Sequence, residues 1–274
     1  MRLTYLFLLF LGLLLTAACS CLPAAPPVVE HDFGPLFRAQ GLEGSLLLYE
    51  EAAGRFVAYN AARCRQGFLP ASTFKIPNTL IALQTGALRD TADICPWDGT
   101  VRSIAAWNQD MPFARALRVS AVPCYQQLAR RMGVAAYQQW LPKLGYPGMV
   151  VMAATLDTFW LGGDSRISQF AQIDFLRRLQ AETLPIEKRH QQALKQLLIL
   201  KKTPAYTLYG KTGWRFRTAR NPDNGWLVGW LAQADGRRVF FALNAEPAAG
   251  QPADARFGPA RQLIVEAALT EVVR

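Results

Sequence analysis

Ser72-Thr73-Phe74-Lys75, preceded by Pro70-Ala71 and followed by an apolar run, places a hydroxyl three residues ahead of an amine. Positions i and i+3 share a helix face, so the two groups come within hydrogen-bond reach of each other. A serine beside a neutral amine is an activated nucleophile. A lysine of ordinary pKa, about 10.4, is protonated at neutral pH, so this base requires a pocket that desolvates it. The free N–H groups at a helix N-terminus would face an oxyanion developing on the attacked carbonyl.

Two further motifs supply partners. Ser120-Ala121-Val122 begins a helix-like segment, and Lys211-Thr212-Gly213 lies in a strand-like one. A strand edge with Lys and Thr offers a cation and a hydroxyl to a substrate carboxylate, and Gly213 would let the substrate approach the backbone. Other chemistries are poorly supported. The chain has two histidines, His31 near the N-terminus and His190 in a polar helix, and neither H-E-x-x-H nor paired C-x-x-C occurs. The sequence therefore implies no metal site and no Ser-His-Asp triad, which leaves Lys75 to activate Ser72. The net charge of +10 is spread over pairs such as Arg130-Arg131, Arg177-Arg178 and Lys201-Lys202, without a basic-aromatic footprint for nucleic acid.

These residues need a frame. Two β-like runs over 42–49 and 55–60, separated by Glu50-Glu51-Ala52-Ala53-Gly54, predict a hairpin. Apolar residues at helical spacing predict helices over 73–85, 121–132, 134–141, 168–181 and 186–200, with Gly86 and Gly133 as C-terminal stops. Strands return over 206–212, 225–233 and 237–244, and an amphipathic helix closes the chain over 262–272. This order fits an α/β (α+β) fold in which an antiparallel sheet is built from both chain ends, flanked by terminal helices, with an all-helical domain inserted. The expected division is 33–66 with 201–274 for the sheet domain and 67–200 for the helical domain, with the active site between them.

Residues 1–21 combine one basic residue, a short apolar run and small residues at its end, the pattern of a secretory signal and not of a membrane span. Thr16-Ala17-Ala18-Cys19 resembles a lipoprotein cleavage box, so Cys19 is a candidate lipid anchor; 22–32 reads as a tether. The mature protein is expected in the periplasm. Among the remaining cysteines, Cys64 and Cys95 sit in polar, loop-like contexts and are candidates to pair, while Cys124 reads as a small buried residue in a helix.

The three motifs, in this order, resemble those of the penicillin-recognising serine enzymes, and among them the class D, or oxacillinase-type, serine β-lactamases. The resemblance runs from about Gly34 to the C-terminus. It is carried by Pro70-Ala71-Ser72-Thr73-Phe74-Lys75-Ile76-Pro77-Asn78, Ser120-Ala121-Val122-Pro123, Phe159-Trp160-Leu161 with Arg166-Ile167-Ser168, Tyr209-Gly210-Lys211-Thr212-Gly213-Trp214, and Gly229-Trp230. Ser-Ala-Val stands where class A enzymes have Ser-Asp-Asn. One departure is Tyr146-Pro147-Gly148, where the family usually has Tyr-Gly-Asn.

The resemblance implies hydrolysis of a β-lactam through an acyl-enzyme on Ser72. It implies that Lys75 takes up CO2 as a carbamate, the general base of acylation and deacylation, in an apolar pocket with Val122, Trp160 and Leu161. The Trp160 indole would donate to that group. Ser120 would relay a proton to the leaving nitrogen, and the N–H groups of Ser72 and Trp214 would form the oxyanion hole. Lys211, Thr212 and Arg261 would hold the substrate carboxylate, with Gly213 beside them and Trp107 at the pocket rim. Two alternatives share the fold: a penicillin-sensing domain that acylates without turnover, and a peptidoglycan transpeptidase or carboxypeptidase. The sequence does not set the oligomeric state.

Overall fold

The structure, a computed structural model, describes residues 25–219, 222–248 and 251–273. The leader and Cys19 lie outside the described residues. The chain opens with β1 (Val28–Glu30), α1 (Gly34–Ala39), the hairpin β2 (Leu42–Glu50) and β3 (Arg55–Tyr59), and the short α2 (Ala61–Cys64). A 3-10 turn, Ala71–Phe74, leads into α3 (Lys75–Thr85). The short pair β4 (Ile94–Cys95) and β5 (Met111–Pro112), then α4 (Phe113–Arg118), α5 (Val122–Lys143), α6 (Gln169–Gln180) and α7 (Lys188–Leu197), complete the helical part. The sheet resumes with β6 (Ile199–Lys202), β7 (Tyr206–Arg215), β8 (Asn224–Gln233) and β9 (Arg238–Pro247), and α8 (Phe257–Val272) closes the chain.

The seven strands run in the order β1-β3-β2-β9-β8-β7-β6, antiparallel except for the β1–β3 pair. Both faces are covered, which is why β2 and β9 read as nearly continuous apolar runs. Leu46, Leu48, Phe241 and Leu243 pack with Ile264 and Val265 of α8, whereas Leu47, Tyr49, Phe240 and Ala242 join the core of the helical part. At the centre of that part α3 is buried from Lys75 through Leu83, so it forms by packing on all sides and not through one apolar stripe. Gly86 caps it in the left-handed conformation, as its position predicts (φ 75°). Among the described residues, no helix is long and apolar enough to cross a membrane.

Several expectations are corrected. Val28–Glu30, read as part of the tether, pairs in parallel with β3. The helix expected to run to residue 200 stops at Leu197, and Ile199–Lys202 pairs with β7. The expected stop at Gly133 holds: its non-helical backbone (φ 74°) kinks Val122–Lys143 into two helical stretches, labelled together as α5. Cys64 does not pair with Cys95. It is buried and free, and burial pushes its thiol up to about 12. The disulfide joins Cys95 on β4 to Cys124 in the first turn of α5, with their Cα atoms 5.7 Å apart. Cys124 is indeed buried in a helix, but the fold brings β4 across the start of that helix, which no local pattern announces.

Candidate active site

Ser72 sits in the 3-10 turn, one residue after Ala71, whose φ of 48° is unusual for a side-chain-bearing residue. Ser120, immediately before α5, has a φ of 53°. Four non-glycine residues hold such backbone among those described, and two of them are at this site. Such strain is stored where surrounding structure fixes it, and it commonly marks functional positions. Here the turn is held by the Thr73 N–H and hydroxyl, both donating to the Pro70 carbonyl, and by the Ala71 N–H donating to the Trp160 carbonyl at 2.9 Å.

The predicted pair is formed. Lys75 Nζ lies 2.9 Å from Ser72 Oγ, and Lys75 is fully buried. Burial drives its amine well below the ordinary lysine value, with the positive charge of Lys211 adding to the effect. The ring of Tyr125 lies 5.0 Å from Nζ, and its hydroxyl is bonded to Thr79, one turn along α3. Among the described residues no carboxylate pairs with Lys75, so nothing offsets the cost of burying its charge.

Lys211 Nζ donates to Ser120 Oγ, to the Thr212 carbonyl at 3.0 Å and to Thr212 Oγ1 at 3.3 Å. Burial lowers its pKa to about 7, with Arg261 contributing. Arg261 is buried, donates to the carbonyls of Phe257 at 3.0 Å and Trp226 at 2.9 Å, and also to that of Gly213. Its charge therefore lies under β7, with its pKa lowered by burial to about 10.

A Cβ at Gly213 would lie 3.0 Å from the Pro70 carbonyl oxygen and 3.3 Å from the Thr73 nitrogen, so the missing side chain lets the Ser72 turn pack against β7. Because β6 pairs only with Thr207, Leu208 and Tyr209, the rest of β7 presents an open edge beside Ser72.

These elements enclose a cleft of about 980 Å³ between sheet and helices. Ser72, Ser120, Val122 and Leu161 line it, with Thr212, Trp214, Arg261 and Trp107. The Trp107 indole also donates to the Val119 carbonyl at 2.9 Å, so it anchors its loop while facing the rim. Trp160 lies behind the wall, stacked on Phe74 with centroids 5.6 Å apart. Its indole N–H is buried and has no hydrogen-bond partner among the described residues. Asn78 Nδ2, one turn beyond Lys75, is likewise unpartnered. A carbamate on Lys75 fits this chain on that observation: buried donors await an acceptor beside a buried neutral amine.

At Tyr146-Pro147-Gly148 the backbone turns tightly, with Gly148 at φ 74° and its carbonyl accepting from the Arg166 N–H at 2.7 Å. Tyr146 is buried against Phe74. Sequence reasoning gave no place in the cleft to Arg166, quoted only as part of a motif, or to Arg215 and Phe216, and it missed Tyr125 beside the amine. The continuation of β7 past the Lys-Thr-Gly motif was the one available signal for Arg215.

A family model for the penicillin binding protein transpeptidase domain matches residues 39–267. The β-lactamase OXA-5 of Pseudomonas aeruginosa is 38% identical over 212 residues, 77% of this chain and 78% of that protein. The β-lactamase OXA-48 of Klebsiella pneumoniae is 39% identical over 74% of this chain and 76% of its own. A class D β-lactamase, YbXI from Nostoc, superposes with a TM-score of 0.82 at 36% identity, covering 88% of this chain and 98% of that one. Relatives of this identity and coverage, sharing the fold and the order of the motifs around the cleft, show that this chain belongs to the class D β-lactamases.

Proposed function

We propose that Ser72 is the nucleophile of β-lactam hydrolysis and that Lys75 is its base. The observation that carries this reading is the 2.9 Å contact between Lys75 Nζ and Ser72 Oγ in a buried site that disfavours the charged amine. Lys75, carrying CO2 as a carbamate, would take the hydroxyl proton as Ser72 attacks the lactam carbonyl, and the carbonyl oxygen is received by the N–H groups of Ser72 and Trp214. The ring C–N bond breaks, and the leaving nitrogen takes a proton from Ser120, which Lys211 resupplies through its hydrogen bond. Thr212, with the positive charge of Lys211 and Arg261 behind it, holds the substrate carboxylate.

Deacylation needs a base able to activate water. CO2 bound to Lys75 as a carbamate would supply an anionic general base, held by the Trp160 indole and the Asn78 amide. Val122 and Leu161 limit the access of water to the amine. Export to the periplasm, with a lipid anchor at Cys19, is proposed on the leader alone; cell fractionation of the full chain tests it.

Ser72→Ala is expected to abolish turnover of a chromogenic cephalosporin and to remove the covalent adduct that intact-mass measurement detects with slow substrates. An adduct that survives the substitution overturns the assignment. A wild-type protein that gives one stoichiometric burst and then stops supports the sensor or transpeptidase reading instead.

A further inference from the structure

The charge of the cleft is larger than one substrate carboxylate requires. Four arginines line it, Arg166, Arg215, Arg217 and Arg261, against a single carboxylate, Glu246. Glu246 is already engaged by Arg63 at 3.2 Å and by the Asn224 amide at 3.0 Å. Arg217 lies 3.9 Å from Asp223, and Arg261 is committed to carbonyls beneath β7. Arg166 and Arg215 remain, and among the described residues neither stands within ion-pair distance of a carboxylate. Arg215 donates to the Pro222 carbonyl at 2.8 Å, and Arg166 to that of Gly163 at 2.7 Å. Backbone carbonyls orient these guanidinium groups without neutralising them.

Their placement is informative. Side chains alternate along a strand, so Arg215 shares the face of β7 that carries Lys211, four positions away and on the order of 13 Å along the wall. Arg166 reaches the same wall from across the cleft, its Cβ packed on Gly67. Burial lowers the affinity of Arg215 for its proton, and the positive charge of Arg166 adds to that effect while Glu246 opposes it. Phe216, 58% exposed and packed on Trp214 at 4.9 Å, adds an apolar surface to the same end.

We propose that Arg166 and Arg215 form a second anion subsite, opposite the Lys211 end of the cleft, that binds a carboxylate or sulfonate on the side chain of a dianionic β-lactam. This inference rests on the reading of Ser72 as a β-lactam nucleophile. A planar guanidinium takes a carboxylate through paired hydrogen bonds, and desolvation in a cleft strengthens that contact over one in open water.

The test compares benzylpenicillin with α-carboxybenzylpenicillin, which differ by one carboxylate. In Arg215→Gln, kcat/KM for the dicarboxylate is expected to fall ten-fold or more, through KM, while benzylpenicillin stays within two-fold of wild type. Arg215→Lys should recover part of the loss, and added salt should erase the wild-type preference for the second charge. An equal loss for both substrates, or no loss for the dicarboxylate, overturns the subsite. If wild type turns over neither penicillin, the Ser72 reading fails first; the subsite is then read by competition of the two compounds for acylation, where equal potency in wild type and Arg215→Gln overturns it.

Discussion

A donor left without an acceptor in a dry interior is unfavourable, and Trp160 carries one at its indole nitrogen. That deficit disappears if the residue bonds to a charged oxygen held by Lys75. Losing a hydrogen bond to a charged group costs about 1.5–3 kcal/mol. Trp160→Phe keeps the ring stacked on Phe74 and removes only the donor. It is expected to cut the occupancy of labelled CO2 on Lys75 roughly ten-fold, read by carbon-13 NMR, and to make hydrolysis strongly dependent on added bicarbonate. Equal label in wild type and variant would separate the indole from that role. At this scale the sequence was legible where chemistry is tied to short spacing, as with Ser72 and Lys75. It was silent where partners meet only through the fold: Tyr125 reaches the amine from α5, and Gly213 is small for the sake of Pro70 and Thr73.

Elements were legible when their period was strong. The strands β2, β8 and β9 follow from their apolar runs bounded by turn residues, and the helices α6 and α8 from helical spacing. Short elements were not: β1 has three residues, and β4 and β5 two each, too few to show a period. Those short strands matter because β4 carries Cys95, whose disulfide to Cys124 ties the segment bearing Trp107 to the start of α5. A cross-link between residues 29 apart restricts the unfolded chain by roughly 3–4 kcal/mol in the chain-entropy account. Reduction, or Cys95→Ser with Cys124→Ser, is therefore expected to lower stability by about 2–4 kcal/mol in urea melts. Because Ser120 and Val122 immediately precede Cys124, KM should rise as well. A reduced protein with an unchanged melting midpoint would remove the cross-link from both roles.

For the molecule as a whole, the buried lysines set a pH dependence. Lys211 titrates at about 7 when folded and near 10.5 when unfolded, so between these values the unfolded chain binds more protons. Stability then rises with pH across this window, and Lys75, also lowered, contributes in the same direction. The buried hydroxyls of Tyr125, Tyr137 and Tyr146, all raised by burial, oppose the trend above about pH 10. Thermal melts from pH 7 to 9.5 should therefore show Tm increasing, with a flatter slope in Lys211→Met. A falling Tm in wild type over that range contradicts the downward shift that burial imposes on these lysines.

The sheet that carries Lys211 is completed by strands from opposite ends of the chain, with Ser45 paired to Asn244 across the β2–β9 ladder. A chain that emerges N-terminus first, from a ribosome or through a translocation pore, therefore exposes the Ser72 segment long before β7 exists to close over it. Until β9 is out, β2 has no partner on that side, and closing so long a loop is a slow, late event. The Ser72 site is thus chemically incomplete until β9 has been delivered, and reactivity toward β-lactams switches on only after that point.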